Sequence, residues 1–237
     1  MDSRALQSIE IFDTMRNIWI NGPDMISRRA FHKSVALNGN IFVLGGFDGH
    51  KDLDLVDRLD IEKELWVRGS SFRTPRSALS AGVIRNRIFI LGGQNGLDTF
   101  CTVESMDPRE GKWQQEPDML YHRAYAASTF GGDCIFVAGG NFAMQFLNTV
   151  EMFDARKSMW RMLPSMNVPR NGAGLALVGD SLYALGGFDG RAENLKVVEK
   201  LDMTKDLRKQ EWEVCEEMLH SRDGSAVEVV TSVTECW

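Results

Sequence analysis

The sequence predicts an all-β protein built as a β-propeller of four-stranded blades, and three observations predict it. A Gly-Gly pair recurs at 45-46, 92-93, 139-140 and 186-187, at a constant step of 47 residues. Tryptophans at 19, 66, 113 and 160 and arginines at 29, 76, 123 and 170 keep the same step. Between these marks lie short runs of β-branched and aromatic residues that end at glycine, and helical spacing is nowhere sustained. Four strands within each 47-residue repeat make a sheet that cannot cover both of its faces alone, so such sheets stack radially.

Each element has its own signal. The first strand is read at 34–37 and 174–178, and the second, a continuous apolar run, at 41–44, 88–91 and 135–138. The second strand ends at the paired glycines (Gly45, Gly46, Gly92, Gly93, Gly139, Gly140, Gly186 and Gly187). There the backbone turns through positive φ or passes too close to a neighbour for a Cβ. Three of the four pairs are followed by a turn dipeptide: Asp48-Gly49, Asn95-Gly96 and Asp189-Gly190. The third strand alternates as a half-buried strand does, at 56–60, 103–107 and 150–154, and its closing Asp is suited to bond nearby amides and start a turn. The fourth opens at the tryptophan, where Trp19, Trp66, Trp113, Trp160 and Trp212 supply an apolar plate between blades. Trp212 and Arg222 both arrive 52 residues after their predecessors, which places a polar bulge around 204–210.

These residues resemble the Kelch repeat. The resemblance rests on Gly45-Gly46, then Val56-Asp57-x-Leu59-Asp60, then Trp66, with the counterparts Gly92-Gly93, Val103-Glu104-x-Met106-Asp107 and Trp113, and it covers practically the whole chain. No Trp-Asp dipeptide occurs, so the other common propeller repeat is not favoured. Where the family usually has Tyr after the acidic residue, this chain has Phe12, Leu59, Met106, Phe153 and Leu201, which keep the apolar body and lose the hydroxyl. The resemblance implies a single Kelch-type β-propeller over residues 1–237, with repeats at about 20–66, 67–113, 114–160 and 161–212. The ends, 1–19 and 213–237, would form the closing blade. The first supplies strands three and four, and 218–230 a copy of the first strand, while 231–237 is a poor copy of the second. The ring has five blades or is an incomplete six-bladed one, and the family's usual count favours the latter.

Composition narrows the function. Lys and Arg number 27 against 33 Asp and Glu, a net charge of −6, which argues against a nucleic-acid or anionic-membrane surface. The apolar runs fall far short of the roughly 20 residues of a membrane helix, and Met1-Asp2-Ser3-Arg4 does not begin a secretory signal. Four cysteines lie far apart without a Cys-x-x-Cys pair, so a reducing, cytoplasmic setting is expected, with no zinc site or disulfide framework. His32, His50, His122 and His220 lack metal-ligand spacing, and no phosphate-loop or nucleophile-elbow pattern appears. The expectation is a non-enzyme without metal or cofactor.

In this topology the loops joining strands two and three, and those leading from one blade into the next, emerge on one rim, where function is expected. The candidate partner-binding residues are Phe47, Asp48, His50, Phe142, Phe188, Asp189 and Arg191 on the former loops. On the latter they are Arg29, Arg76, Arg123, Tyr125, Arg170, Asn171 and Arg222. Arginines with interspersed aromatics suit an acidic peptide or protein substrate. Arginines recurring at one place in every repeat also suit a second role, bonding loop carbonyls or the third-strand acid. By resemblance to Kelch-like proteins, the function implied is the substrate-recognition part of a cullin-RING ubiquitin-ligase adaptor. It would reach the cullin only through a BTB domain not present in these 237 residues. The alternative is an actin-binding or cytoskeletal Kelch protein.

Overall fold

The structure, a computed structural model, describes residues 5–191, 194–206, 209–227 and 229, and among them it contains strands and turns but no α-helix. The chain packs as two compact units, Met1–Ala124 and Tyr125–Trp237.

In the first unit, β1 (Glu10–Asp13) and β2 (Ile18–Asn21) form a two-stranded sheet. A four-stranded antiparallel meander follows: β3 (Lys33–Leu37), β4 (Asn40–Leu44), β5 (Val56–Asp60) and β6 (Leu65–Arg68). The next sheet contains β7 (Ser80–Ile84) and β8 (Arg87–Leu91). A small hairpin of β9 (Gln94–Asn95) and β10 (Asp98–Thr99) interrupts it before β11 (Val103–Asp107) and β12 (Lys112–Glu116).

The second unit repeats the plan. Its first sheet is β13 (Ala127–Gly131), β14 (Cys134–Ala138), β17 (Val150–Asp154) and β18 (Met159–Leu163), with the hairpin β15 (Asn141–Phe142) and β16 (Gln145–Phe146) between its second and third strands. Its second sheet is β19 (Gly174–Val178), β20 (Ser181–Leu185), β21 (Val198–Asp202) and β22 (Trp212–Val214).

Up to β22 the predicted strands form, each within a residue or two of its expected bounds. Repeat boundaries drawn at Trp66, Trp113 and Trp160 fall inside the fourth strands, and that at Trp212 falls on the first residue of β22. The insertion forms the β21–β22 connection, where Gln210 folds back to donate to the carbonyl of Lys205 at 2.9 Å. No strand forms in the described part of 215–229, so the first strand read at 218–230 is not observed. A strand exists only by pairing, and the segment read as its partner, 231–237, lies outside the described residues.

Second strands are buried because sheets cover both their faces. Leu44, Val56, Leu79, Ile88, Ile90 and Met106 form the core of the first unit, and Val150, Leu163, Leu175, Leu182, Leu201 and Trp212 that of the second. Each such side chain contributes about 1.5–3 kcal/mol relative to exposure.

The paired glycines do both things expected of them. Gly45 and Gly46 have φ of 59° and 98°. A Cβ on the first would lie 2.5 Å from the Arg76 carbonyl oxygen, and one on the second 2.8 Å from that of Ala30. The other three pairs share the positive φ. In each pair the second glycine donates its N–H to the carbonyl of the next recurrent arginine, as Gly46 does to Arg76 at 2.9 Å and Gly187 to Arg222 at 2.7 Å.

The tryptophans do more than fill space. Each stands opposite the apolar residue that replaces tyrosine, in the pairs Phe12–Trp19, Leu59–Trp66, Met106–Trp113, Phe153–Trp160 and Leu201–Trp212. The indoles of Trp66, Trp113 and Trp212 donate to the carbonyls of Pro23, Ser70 and Pro164 at 2.8–2.9 Å, tying each fourth strand to the segment that leaves the preceding one.

Candidate functional site: the loop rim of each unit

Both predicted loop families meet in each unit. The segment entering a sheet pairs with the loop between its second and third strands through the bridges Ala30–Phe47, Ser77–Gln94 and Asn171–Phe188. Two residues after each recurrent arginine the chain takes a left-handed turn, at Phe31 (φ 54°), Ala78 (51°), Tyr125 (54°), Gly172 (63°) and Gly224 (61°). These positions form short backbone ladders within each unit. Ala78 donates to the Phe31 carbonyl at 2.8 Å, Gly172 to that of Tyr125 at 3.0 Å, and Gly224 to that of Gly172 at 2.8 Å. The rim backbone is thereby satisfied, and its side chains are left to vary.

Of the two roles the sequence allows the recurrent arginines, partner binding and bracing, four of the five have the burial of a brace. Arg29, Arg76, Arg123 and Arg170 are at most 2% exposed. Arg29 donates to the carbonyls of Gly45 (2.6 Å) and Leu55 (2.9 Å) and to the Asp57 carboxylate (2.6 Å). Arg170 repeats the pattern with Gly186 (2.6 Å), Val197 (2.8 Å) and Glu199 (2.8 Å). Arg76 reaches Gly92 (3.0 Å) and Glu104 (3.3 Å), and Phe100 lies 4.9 Å from its guanidinium carbon. The guanidinium is rooted in the sheet it enters. One nitrogen donates to the carbonyl of the first glycine and to a second carbonyl that also accepts that glycine's N–H, and another neutralises the buried third-strand acid. Burial pulls the pKa of Arg29 and Arg76 down, though the acid beside each counteracts this. Arg222 is the exception among the five. It is exposed and lines an open cleft with Leu185, Asn194 and Met218.

The remaining candidates divide by position. Asp48 and Asp189 serve their own turns: Asp48 accepts from the backbone of His50 (2.7 Å) and Lys51 (2.9 Å), and Asp189 from that of Arg191 (2.9 Å). Those amides hold the Asp48 carboxyl below its usual range. Phe47 and Phe188 are half-buried pillars whose backbones carry the loop bridges, and Phe188 stacks edge-on against Phe146 at 5.5 Å. Tyr125 and Asn171 are half-buried. His50, Phe142 and Arg191 are exposed at the loop tips.

Two tip residues escaped the sequence reading, Leu97 at 103% and Met144 at 97% exposure. A signal was present, because Phe142-Ala143 stands where the other repeats place Asp-Gly or Asn-Gly, and Met144 follows at the position of His50, Leu97 and Arg191.

Half-buried His32 follows Arg29 and Phe31. Burial, with Arg29 and Lys33 adding to the effect, pushes its pKa down to about 4.

Comparison with known proteins agrees with this architecture. The profile of the KLHDC2/KLHL20/DRC7 Kelch-repeats domain matches residues 1–187, and that of the Kelch motif matches residues 169–219. A stretch of 42 residues is 48% identical to Kelch-like protein 8 of Caenorhabditis elegans, a match that spans 18% of this chain and 6% of that protein. The solved structure of YjhT is similar with a TM-score of 0.80 at 16% identity, over 92% of this chain and 80% of that one.

Proposed function

Since the chain belongs to the KLHDC2/KLHL20/DRC7 Kelch-repeats domain family, we propose that it recognises a protein substrate for a cullin-RING ubiquitin ligase, with the rim loops as its contact surface. Kelch domains bind proteins in general, and the short match to a Kelch-like protein supports the adaptor reading. One observation carries the choice of surface. The paired glycines and Arg29, Arg76, Arg123 and Arg170, which recur from repeat to repeat, are buried, whereas the exposed rim side chains His50, Leu97, Phe142, Met144 and Arg191 differ from repeat to repeat. Invariant residues build the scaffold, and variable ones on satisfied backbone are free to specify a partner. Cullin engagement would pass through a BTB domain outside these 237 residues.

The test is affinity purification of the full-length protein from cells in which cullin complexes are kept assembled, comparing wild type with Phe142→Ala/Arg191→Ala. Cullin should co-purify with both, and a substrate only with wild type. Absence of cullin from both would remove the ligase assignment.

A second reading, actin binding, draws on a different surface. The outer strand β6 exposes Leu65 (55%) and Val67 (40%) beside Ile61 (49%). Co-sedimentation with actin filaments that Leu65→Glu abolishes would favour it.

A further inference from the structure

The hairpin of β15 and β16 in the second unit departs from the turn chemistry of its equivalents. Phe142 pairs with Gln145, so Ala143 and Met144 form a two-residue loop. Both have positive φ, 47° and 63°. A loop of that kind is ordinarily Asn-Gly or Asp-Gly, because a Cβ in the left-handed region is disfavoured. Here the strained positions hold an alanine and a methionine, and Met144 is 97% exposed beside Phe142 at 42%.

The base of the hairpin is firm. Phe146 stacks on Phe188, and a Cβ on Gly190 would lie 2.7 Å from the Phe146 ring, so the neighbouring loop closes against the hairpin. Phe188 is in turn bridged to Asn171 and Asn194. One residue beyond Gly190, the Arg191 side chain is 88% exposed. Its ion pair with Asp189 is long, at 3.6 Å, and the Asp189 carboxylate is already occupied by a backbone amide.

We propose that this hairpin is a preset apolar anchor for a peptide segment carrying apolar side chains beside carboxylates. The inference rests on the reading that the rim binds protein. Exposing a methionine on strained backbone lowers stability and serves no contact within the fold. A strained, exposed, rigidly mounted apolar tip is what a recognition element requires. Methionine is unbranched and polarisable, so it adapts to more than one apolar side chain, and phenylalanine beside it provides a flat contact. The adjacent guanidinium selects for carboxylate and against a basic partner.

The experiment uses an array of synthetic 15-residue peptides, each with one to three leucines or phenylalanines in a background rich in glutamate or, as control, in lysine. Three proteins are compared: wild type, Ala143→Asn/Met144→Gly, and Met144→Lys. The Asn-Gly variant should unfold about 3–5 °C higher than wild type, by relief of the strained turn, yet bind the acidic-apolar peptides at least tenfold more weakly. Met144→Lys should lose the same binding at an unchanged unfolding midpoint. A midpoint that stays level or falls in the Asn-Gly variant overturns the claim that the tip is strained for display. Equal peptide binding by all three proteins overturns the hairpin's role while leaving the rim reading intact. Preference for the lysine-rich series, or no binding by wild type, overturns the assigned partner chemistry.

Discussion

A guanidinium is tolerated inside a protein when its donors are met by carbonyls and its charge by an acid, and Arg29 and Arg170 satisfy both conditions with side chains that are 0% exposed. Removing one member of such a pair strands the other. Glu199→Ala or Arg170→Ala should therefore destabilise the protein by about 3–5 kcal/mol, measured as a shift of the urea midpoint. His50→Ala, at an exposed loop tip, should stay within about 0.5 kcal/mol. His32 makes stability depend on pH. Unfolded, it takes up a proton near its ordinary value of 6.5; folded, only near 4. Between those values the unfolded chain holds more protons. The contribution of His32 is thus complete above pH 6.5 and is lost as pH falls towards 4, amounting to about 3 kcal/mol at most. His32→Leu should flatten this part of the stability profile. Leu79 already occupies the equivalent position, three residues after Arg76, and is 1% exposed.

At the scale of the element, the glycine pair and the incoming segment form one joint, and the two glycine environments can be told apart by substitution. Gly92 has φ of 58°, and a Cβ there would lie 2.5 Å from the Arg123 carbonyl oxygen; Gly96 has φ of 60° with nothing within 4 Å. Gly96→Ala should lose only the left-handed preference, about 1–2 kcal/mol. Gly92→Ala should lose more, because the carbonyl it meets is also the acceptor of the Gly93 N–H. Chemical denaturation of the two variants makes the comparison. The joint was legible because only glycine meets both demands, and the strands because apolar runs, alternation and terminal Asp each have a local cause. At β9–β10 the sequence shows only the turn Asn95-Gly96, and at β15–β16 it shows no turn dipeptide at all. Two-residue strands leave no periodicity in a sequence, and only pairing reveals them. The tryptophan indole bonds were hidden for a related reason, since their acceptors Pro23, Ser70 and Pro164 lie 43 to 48 residues away.

Across the whole molecule, stability is uneven. Among the described residues the sheet of β1 and β2 has two strands where the four meander sheets have four each, and its residues Ile11, Phe12, Ile18, Trp19 and Ile20 are 40–67% exposed. Amide exchange should be faster in β1 and β2 than in β8 or β14, whose apolar residues are almost wholly buried. Equal protection, measured by mass spectrometry, would show that these strands are covered. What the sequence determined by itself is the repeat: a step of 47 residues, four strands in each repeat and glycines at fixed joints. These follow from local rules of backbone conformation and apolar periodicity that act in every copy alike. What only the tertiary structure decided is which rim residues are available. Arg29, Arg76, Arg123 and Arg170 have the chemistry of a ligand site, yet each lies within reach of carbonyls and an acid brought in from 16 to 29 residues away, or is enclosed by neighbouring segments. Composition records a side chain's charge but not what surrounds it. Burial turned four of the recurrent arginines into braces and left residues that do not recur, such as His50, Phe142 and Arg191, exposed at the loop tips.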